Sequence, residues 1–167
     1  FDAGTSTIIF SGNGPILDGA LTLYNVQETN LAGSGLTVKN SCTFNNLEIT
    51  APTSLTKSLK FGDNQVITGT LTVSGASEIR RLFVLASDIS NNPDVGVTRT
   101  LTVGTLLADY CDFRDITITG TAAGGSPTNA GDCGGNSGVT FPAPKTVYWN
   151  LSGTRSWEAN GWATTSG

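Results

Sequence analysis

Three aspartates lie within a seven-residue stretch and form the densest acidic cluster of this sequence: Asp109, Asp112 and Asp115. Two carboxylates on one face of a scaffold can act as the acid and base of glycoside hydrolysis, and several together can bind calcium. The alternative is that they occupy solvated corners, where Arg114 pairs with a neighbouring carboxylate. We favour the solvated corner positions. The sequence therefore predicts no enzyme, no metal site and no cofactor, and these aspartates are the only candidates for catalysis or metal binding.

Several other kinds of site are excluded or weakened by composition. The chain has no histidine, which removes the commonest general base and rules out a Ser-His-Asp triad within it. Residues 131–138 are glycine-rich but lack the lysine of a phosphate loop and the acidic spacing of a calcium loop, so they read as a turn-rich connector. The nine lysines and arginines are scattered and the net charge is −4, which argues against nucleic acid as a partner.

The three cysteines are Cys42, Cys111 and Cys133, and their spacing does not resemble the paired Cys-x-x-Cys units of a zinc site. A disulfide between Cys111 and Cys133 would tie the last strands to the loop that follows them. Three buried thiols are the alternative, since buried cysteine behaves as a small apolar residue. We expect Cys42 in the core and leave the other two open.

An aromatic group marks the C-terminal end: Tyr148, Trp149, Trp157 and Trp162. Such rings can stack on the faces of sugars, which would make them a glycan-binding site. They can equally cover the open end of an apolar core. We favour the covering role.

Strand signals dominate the chain, and helix signals are nearly absent. Charged residues make up only 13% of the chain and there are 21 glycines, whereas an ordinary soluble domain is about 25% charged. Short runs alternate apolar residues with threonine and are bounded by Gly, Asn, Asp or Pro. These runs predict strands at 7–10, 21–26, 36–38, 42–50, 59–61, 65–67, 70–73, 81–85, 99–103 and 111–119.

Internal repetition gives the architecture. The signature Leu-x-(Val/Ile/Leu) begins at Leu21, Leu36, Leu47, Leu71 and Leu101. The segment 42–50 is echoed at 111–119, an offset of 69 residues, or three times 23. A coil of three short strands and three turns needs roughly 20–27 residues, so the offset suggests a whole number of coils. We expect inward residues to form columns, with an irregularity where Phe44 and Leu47 are three apart.

The fold prediction is therefore all-β: a right-handed parallel β-helix, or β-solenoid, with a Trp-rich C-terminal hairpin or cap. A β-sandwich is the alternative. We assign residues 1–121 to the coils, 122–144 to a Gly/Pro-rich connector and 145–167 to the hairpin or cap, which would continue into a longer parent chain. No apolar run approaches the ~20 residues that span a bilayer, so we expect no membrane insertion.

The chain resembles the parallel β-helix regions of long, repetitive phage virion or tail-fibre proteins and of adhesin-like or autotransporter-like bacterial surface proteins. The resemblance rests on residues 1–8, 44–50, 112–117, 131–139 and 145–150 and on the Trp-rich tail. It implies an extracellular location, on a virion or a bacterial cell surface, and no catalytic residues.

Three functions are open at this point. The first is a non-enzymatic structural module of such a fibre, whose partners would be neighbouring modules of the same chain or further copies in a homo-oligomer. The second is a polysaccharide-binding module or depolymerase acting on cell-surface glycan. The third is an adhesin that binds a host protein.

Overall fold

The computed structural model describes residues 4–51, 56–87, 97–143, 148–149 and 162–163. The prediction of an all-β chain is confirmed. The odd-numbered strands from β1 to β11 form a six-stranded parallel sheet, sheet I, in the order of the chain. Its strands are β1 (Thr7–Phe10), β3 (Thr22–Glu28), β5 (Thr43–Ile49), β7 (Gln65–Ser74), β9 (Arg99–Asp109) and β11 (Ile116–Thr119).

The even-numbered strands from β2 to β12 form a second six-stranded parallel sheet, sheet II. Its strands are β2 (Ile16–Leu17), β4 (Gly35–Val38), β6 (Lys57–Phe61), β8 (Leu82–Ala86), β10 (Cys111–Arg114) and β12 (Gly131–Asp132). The chain thus alternates between the two sheets. One strand of sheet I and the next strand of sheet II together make one coil. Each coil pairs with the coils before and after it, an arrangement consistent with a β-solenoid.

The coils differ in length. Paired residues of sheet I are 21 positions apart at Thr22 and Thr43, 36 apart at Gln65 and Leu101, and 17 apart at Arg99 and Ile116. The interpretation of the 69-residue offset as whole coils is therefore wrong. Residues 43–49 form the single strand β5 of sheet I, whereas the matching residues 112–118 divide between β10 of sheet II and β11 of sheet I, so the repeated segment does not occupy the same place in the coil.

The core is made by inward residues of both sheets. Leu47 pairs with Leu71 in sheet I and Leu36 pairs with Leu59 in sheet II, and all four are fully buried. The expected stack of the inward residues Leu21, Leu36, Leu71 and Leu101 does not form. Leu21 lies just before β3, Leu36 lies in the other sheet and Leu101 pairs with Gln65. Alternation within each strand still places one face in the core.

The irregularity expected between Phe44 and Leu47 is confirmed: the register of β5 against β7 shifts at that point. A similar shift occurs between Ile67 and Thr70 in β7 against β9. A bulge bends a strand. The register shifts in β5 and β7 therefore divide sheet I into two segments. The three separate strands expected in each coil are reduced to two, since the described residues form only two large sheets.

The described part of residues 120–143 closes one end of the stack. Residues 120–122 form a 3-10 turn, β12 adds to β10, and Ser137 bridges to Thr117. The ring of Phe141 packs against Phe113, with centroids 5.9 Å apart. Much of the predicted connector therefore stacks on the last coil.

The C-terminal region contributes one antiparallel pair, in which β13 (Tyr148–Trp149) lies beside β14 (Trp162–Ala163). Most other residues of the predicted cap, including Trp157, lie outside the described residues. Among the described residues there is no helix with the length and apolar character that spanning a bilayer requires.

Candidate functional site

Polar side chains form two rows on the outer face of sheet I, which we call the outer groove. One row contains Thr7, Asn25, Asn46 and Thr70, and the other contains Gln27, Glu48 and Thr72. The rows border a depression of about 310 Å³. Strand pairing places them, because equivalent residues of successive coils lie side by side, about 4.8 Å apart.

Hydrogen bonds run along the groove from coil to coil. The Asn25 amide donates to Thr7 Oγ1 at 3.2 Å, and the Asn46 amide donates to Asn25 Oδ1 at 2.9 Å. Asn46 Oδ1 accepts the backbone N–H of Thr70 at 2.8 Å, which satisfies a donor at the bulge. In the second row Gln27 Nε2 donates to Glu48 Oε2 at 2.8 Å.

The chemistry of the groove suits an uncharged ligand rich in hydroxyl groups. Amides and hydroxyls each offer both donors and acceptors, and they repeat at the spacing of the coils. Glu48 is the one carboxylate in the lining of this depression. Glycoside hydrolysis normally needs two carboxylates that flank the scissile bond, and the lining of this depression supplies one.

The three aspartates of the sequence prediction have separate partners. Asp109 ends β9 of sheet I, and its Oδ1 accepts the Asn129 amide at 2.9 Å. Asp112 lies on β10 of sheet II. Asp115 has a positive φ of 57° in the turn after β10, and its Oδ2 lies 3.7 Å from Arg114 Nε. In the described part of the chain, no three His, Cys, Asp or Glu side chains are grouped to hold a metal ion.

Asp112 is held by Arg81 in a two-pronged ion pair. Arg81 Nε donates to Asp112 Oδ2 at 2.6 Å and Nη2 donates to Oδ1 at 2.8 Å. Nη2 also donates to the carbonyl oxygen of Asn129 at 2.8 Å. The hydrogen bonds that Arg81 donates to Asp112 raise the pKa of the Arg81 guanidinium. The pair fastens β10 to the segment that closes the stack, which is a structural role.

A cleft of about 810 Å³ lies beside this ion pair and is bordered by Glu78, Arg81, Asp132 and Phe141 among others. Asp132 Oδ1 accepts the backbone N–H of Gly134 at 2.8 Å and the amide of Asn136 at 2.6 Å. Its carboxylate is thus engaged in the turn that follows β12. Asp132 therefore stabilises a turn here, in the manner of an Asx turn.

The cysteines are free thiols: Cys42 and Cys111 are buried and Cys133 is exposed. Of the two alternatives left open for Cys111 and Cys133, the disulfide is not formed. Asp132 pairs with Phe113, so Cys133 lies level with Arg114, three residues or about 10 Å along the strand from Cys111, whereas a disulfide needs Cα atoms within about 7 Å. Burial raises the pKa of the Cys111 thiol to about 12.

The predicted aromatic group is described only in part. Tyr148 is 41% exposed and Trp149 pairs through its backbone with Trp162. Trp157 lies outside the described residues. Neither sugar stacking nor core covering by these rings is tested, and both stay predictions.

A buried ion pair was missed by the sequence analysis. Glu28 ends β3 of sheet I and Lys57 begins β6 of sheet II; their charged atoms are 2.6 Å apart and both side chains are fully buried. Lys57 Nζ also donates to the carbonyl oxygen of Thr50 at 3.0 Å, and Glu28 Oε1 accepts the N–H of Asn30 at 3.0 Å. The alternation of Lys57, Leu59 and Phe61 is the signal that places Lys57 inward.

The outer groove is accordingly the polar surface whose arrangement best fits a ligand, and the buried pair joins the two sheets internally. The three aspartates contact residues of the framework, and Cys42 and Cys111 are buried in it. Compared with known proteins, the chain matches no family model, no curated protein and no solved structure.

Proposed function

We propose that the chain is a non-enzymatic structural module, a segment of right-handed parallel β-helix in an extracellular fibre of a virion or a bacterial cell surface. The right hand is supported by a general rule. A strand that returns to the same parallel sheet through a crossover does so with a right-handed turn in about 98% of cases. Here β1 reaches β3 of the same sheet by crossing through β2. The Trp-rich β13 and β14 would belong to its cap.

The observation that carries the structural role is the continuity of the core. Inward residues of successive coils are buried by one another, and Val26, Leu47 and Leu71 are all 0% exposed in adjacent coils of sheet I. A coil contacts mainly its neighbours, so adding coils lengthens the stack without changing its width. Such a stack is suited to serve as a spacer or rod.

Labelling of the native source tests this proposal. We expect a gold-tagged antibody raised against the purified chain to mark fibres on intact particles or cells under the electron microscope. Preimmune serum is the control. Label confined to the cell interior, or found only on a free secreted protein, would contradict the role as a fibre module.

A second candidate function is supported by the outer groove: binding of a glycan along sheet I. The groove presents amides and hydroxyls from four successive coils, those of β1, β3, β5 and β7. A polymer of sugars presents hydroxyl groups at a comparable repeat, and it can lie along such a surface. Because the groove has a single carboxylate, this candidate is a binding module and not a depolymerase.

Affinity electrophoresis through gels that contain different polysaccharides tests the second candidate. We expect one polysaccharide to retard the chain, and the double variant Gln27→Ala/Glu48→Ala to lose about tenfold in affinity, because two hydrogen-bonding groups are worth about 0.5–1.5 kcal/mol each. The matched control is Thr37→Ala/Lys60→Ala, which removes a paired outward row from sheet II. Equal retardation of both variants would refute binding in the groove.

A further inference from the structure

The first row of the outer groove is left with unused hydrogen-bond donors. The Asn46 side-chain oxygen accepts the backbone N–H of Thr70, and one amide N–H of Asn46 is donated to Asn25. A side-chain amide has two N–H groups, so Asn46 keeps one N–H that has no acceptor among the described residues. Asn25 keeps one as well, since its amide donates only to Thr7. This row therefore offers N–H groups to a ligand.

The second row is left with unused oxygens. An ionised carboxylate such as that of Glu48 can only accept hydrogen bonds. Its Oε2 accepts the Gln27 amide at 2.8 Å, and its Oε1 has no partner in the described part of the chain. The same contact orients Gln27, because the amide nitrogen must face the carboxylate and the amide oxygen is then left free. A ligand that lies across the groove thus meets donors on one side and acceptors on the other.

The spacing of the rows selects the chemical group that can join them. Asn46 and Glu48 lie two residues apart on one face of β5, so the rows are about 6.6 Å apart at the rise of a strand. A single hydroxyl oxygen with two contacts of about 2.8 Å falls short of that distance by about 1 Å. A secondary amide holds its nitrogen and oxygen about 2.3 Å apart, and with a hydrogen bond of about 2.9 Å at each end it bridges the rows.

We propose that the outer groove recognises a glycan whose sugars carry N-acetyl groups. The acetamido C=O accepts from Asn46, and the acetamido N–H donates to Glu48. Asn25 and Gln27 repeat this pair on β3, one coil away. The sugar hydroxyls meet the threonines that line the same depression. This inference rests on the second candidate function and names its substrate class.

Other ligands complement the groove less well. A free amino group supplies donors only and leaves the Asn46 N–H unpaired. A uronic acid brings a second carboxylate to Glu48, and the lining contains no lysine or arginine. A peptide also has secondary amides, but sheets capture extended peptides mainly at an edge, through main-chain hydrogen bonds. The groove lies on the face of sheet I, and its apolar lining residues, Val26 and Leu47, are fully buried, so it has no pocket for peptide side chains.

Isothermal titration calorimetry with matched oligomers tests the proposal on the wild type. Oligomers of N-acetylglucosamine and of glucose, with the same linkage and length, differ only at the acetamido group. We expect the acetylated oligomer to bind at least about tenfold more tightly, because it gains the two bridging hydrogen bonds. The N-deacetylated oligomer and a Gly/Ser peptide, titrated at the same salt concentration, should both bind more weakly than the acetylated oligomer.

Two variants locate the recognition. Gln27→Ala/Glu48→Ala removes the free oxygens and should bind the acetylated and glucose oligomers alike, whereas Thr37→Ala/Lys60→Ala on sheet II should keep the wild-type preference. The inference is overturned if the wild type binds neither oligomer or both alike, if the deacetylated oligomer or the peptide binds as tightly as the acetylated one, or if both variants keep the preference. Retardation by a polysaccharide without N-acetyl groups would then leave the second candidate function standing, and retardation by none would remove both.

Discussion

Replacing Lys57 with methionine is expected to lower the free energy of unfolding by about 3–5 kcal/mol, the usual cost of removing one partner from a buried ion pair. The reason is the charge that remains: Glu28 would keep its carboxylate inside the core without the Lys57 ammonium 2.6 Å away. Denaturant unfolding followed by circular dichroism measures the change.

Two controls accompany this prediction. Lys60→Met makes the same substitution on the outward face of β6, where the side chain is only partly buried, and we expect a change within about 0.5 kcal/mol. The double variant Glu28→Leu/Lys57→Met removes both charges and should be more stable than Lys57→Met alone, since apolar replacements of buried pairs are often neutral. Equal stability of Lys57→Met and Lys60→Met would contradict the burial of the pair.

Gly35→Ala is expected to destabilise the chain by at least about 3 kcal/mol. Gly35 begins β4 with a φ of +101°, and holding a residue with a side chain in sparsely populated backbone regions costs about 1–3 kcal/mol. A Cβ at this position would also overlap the carbonyl oxygen of Ser58 on the adjacent β6, so the two strands would have to separate. The melting temperature and the denaturant midpoint both report the loss.

Gly12→Ala is the matched control for this change. Gly12 lies in the turn after β1, no atom lies within 4 Å of a Cβ built there, and its φ is outside the positive range. We expect that variant to be neutral or slightly stabilising, because alanine restricts the unfolded chain. A Gly35→Ala variant as stable as Gly12→Ala would show that β4 and β6 are not packed at this distance.

The strands themselves were predictable because each is short, alternating and bounded by turn residues. Thr7–Phe10 is found as predicted, and the shift between Phe44 and Leu47 could be read from their spacing of three. Coil length was not predictable in this way. The length of a turn cannot be read from the alternation of apolar and polar residues. The similarity of segment 111–119 to segment 42–50 therefore does not show which sheet each segment joins.

The site was harder to predict than the fold, for reasons that differ from residue to residue. Glu28 and Lys57 are 29 positions apart, and a charged residue in a strand is ordinarily taken as outward. The outer groove depends on register, since Asn25 and Asn46 become neighbours only when β3 and β5 pair with the offset observed. The aspartates were conspicuous in the sequence because they are close together, but β10 and the turns around it direct them to different partners.

The direction of the strands determines how the stack would respond to force. The strands of sheets I and II cross the axis of the stack, so tension along that axis acts on the hydrogen bonds between two coils together, and they share the load. Tension on the two chain termini acts differently, because it concentrates on the outermost coil and can break the hydrogen bonds of one coil at a time. The same hydrogen bonds would therefore make the stack stiff under tension along its axis and compliant when the two chain termini are pulled apart.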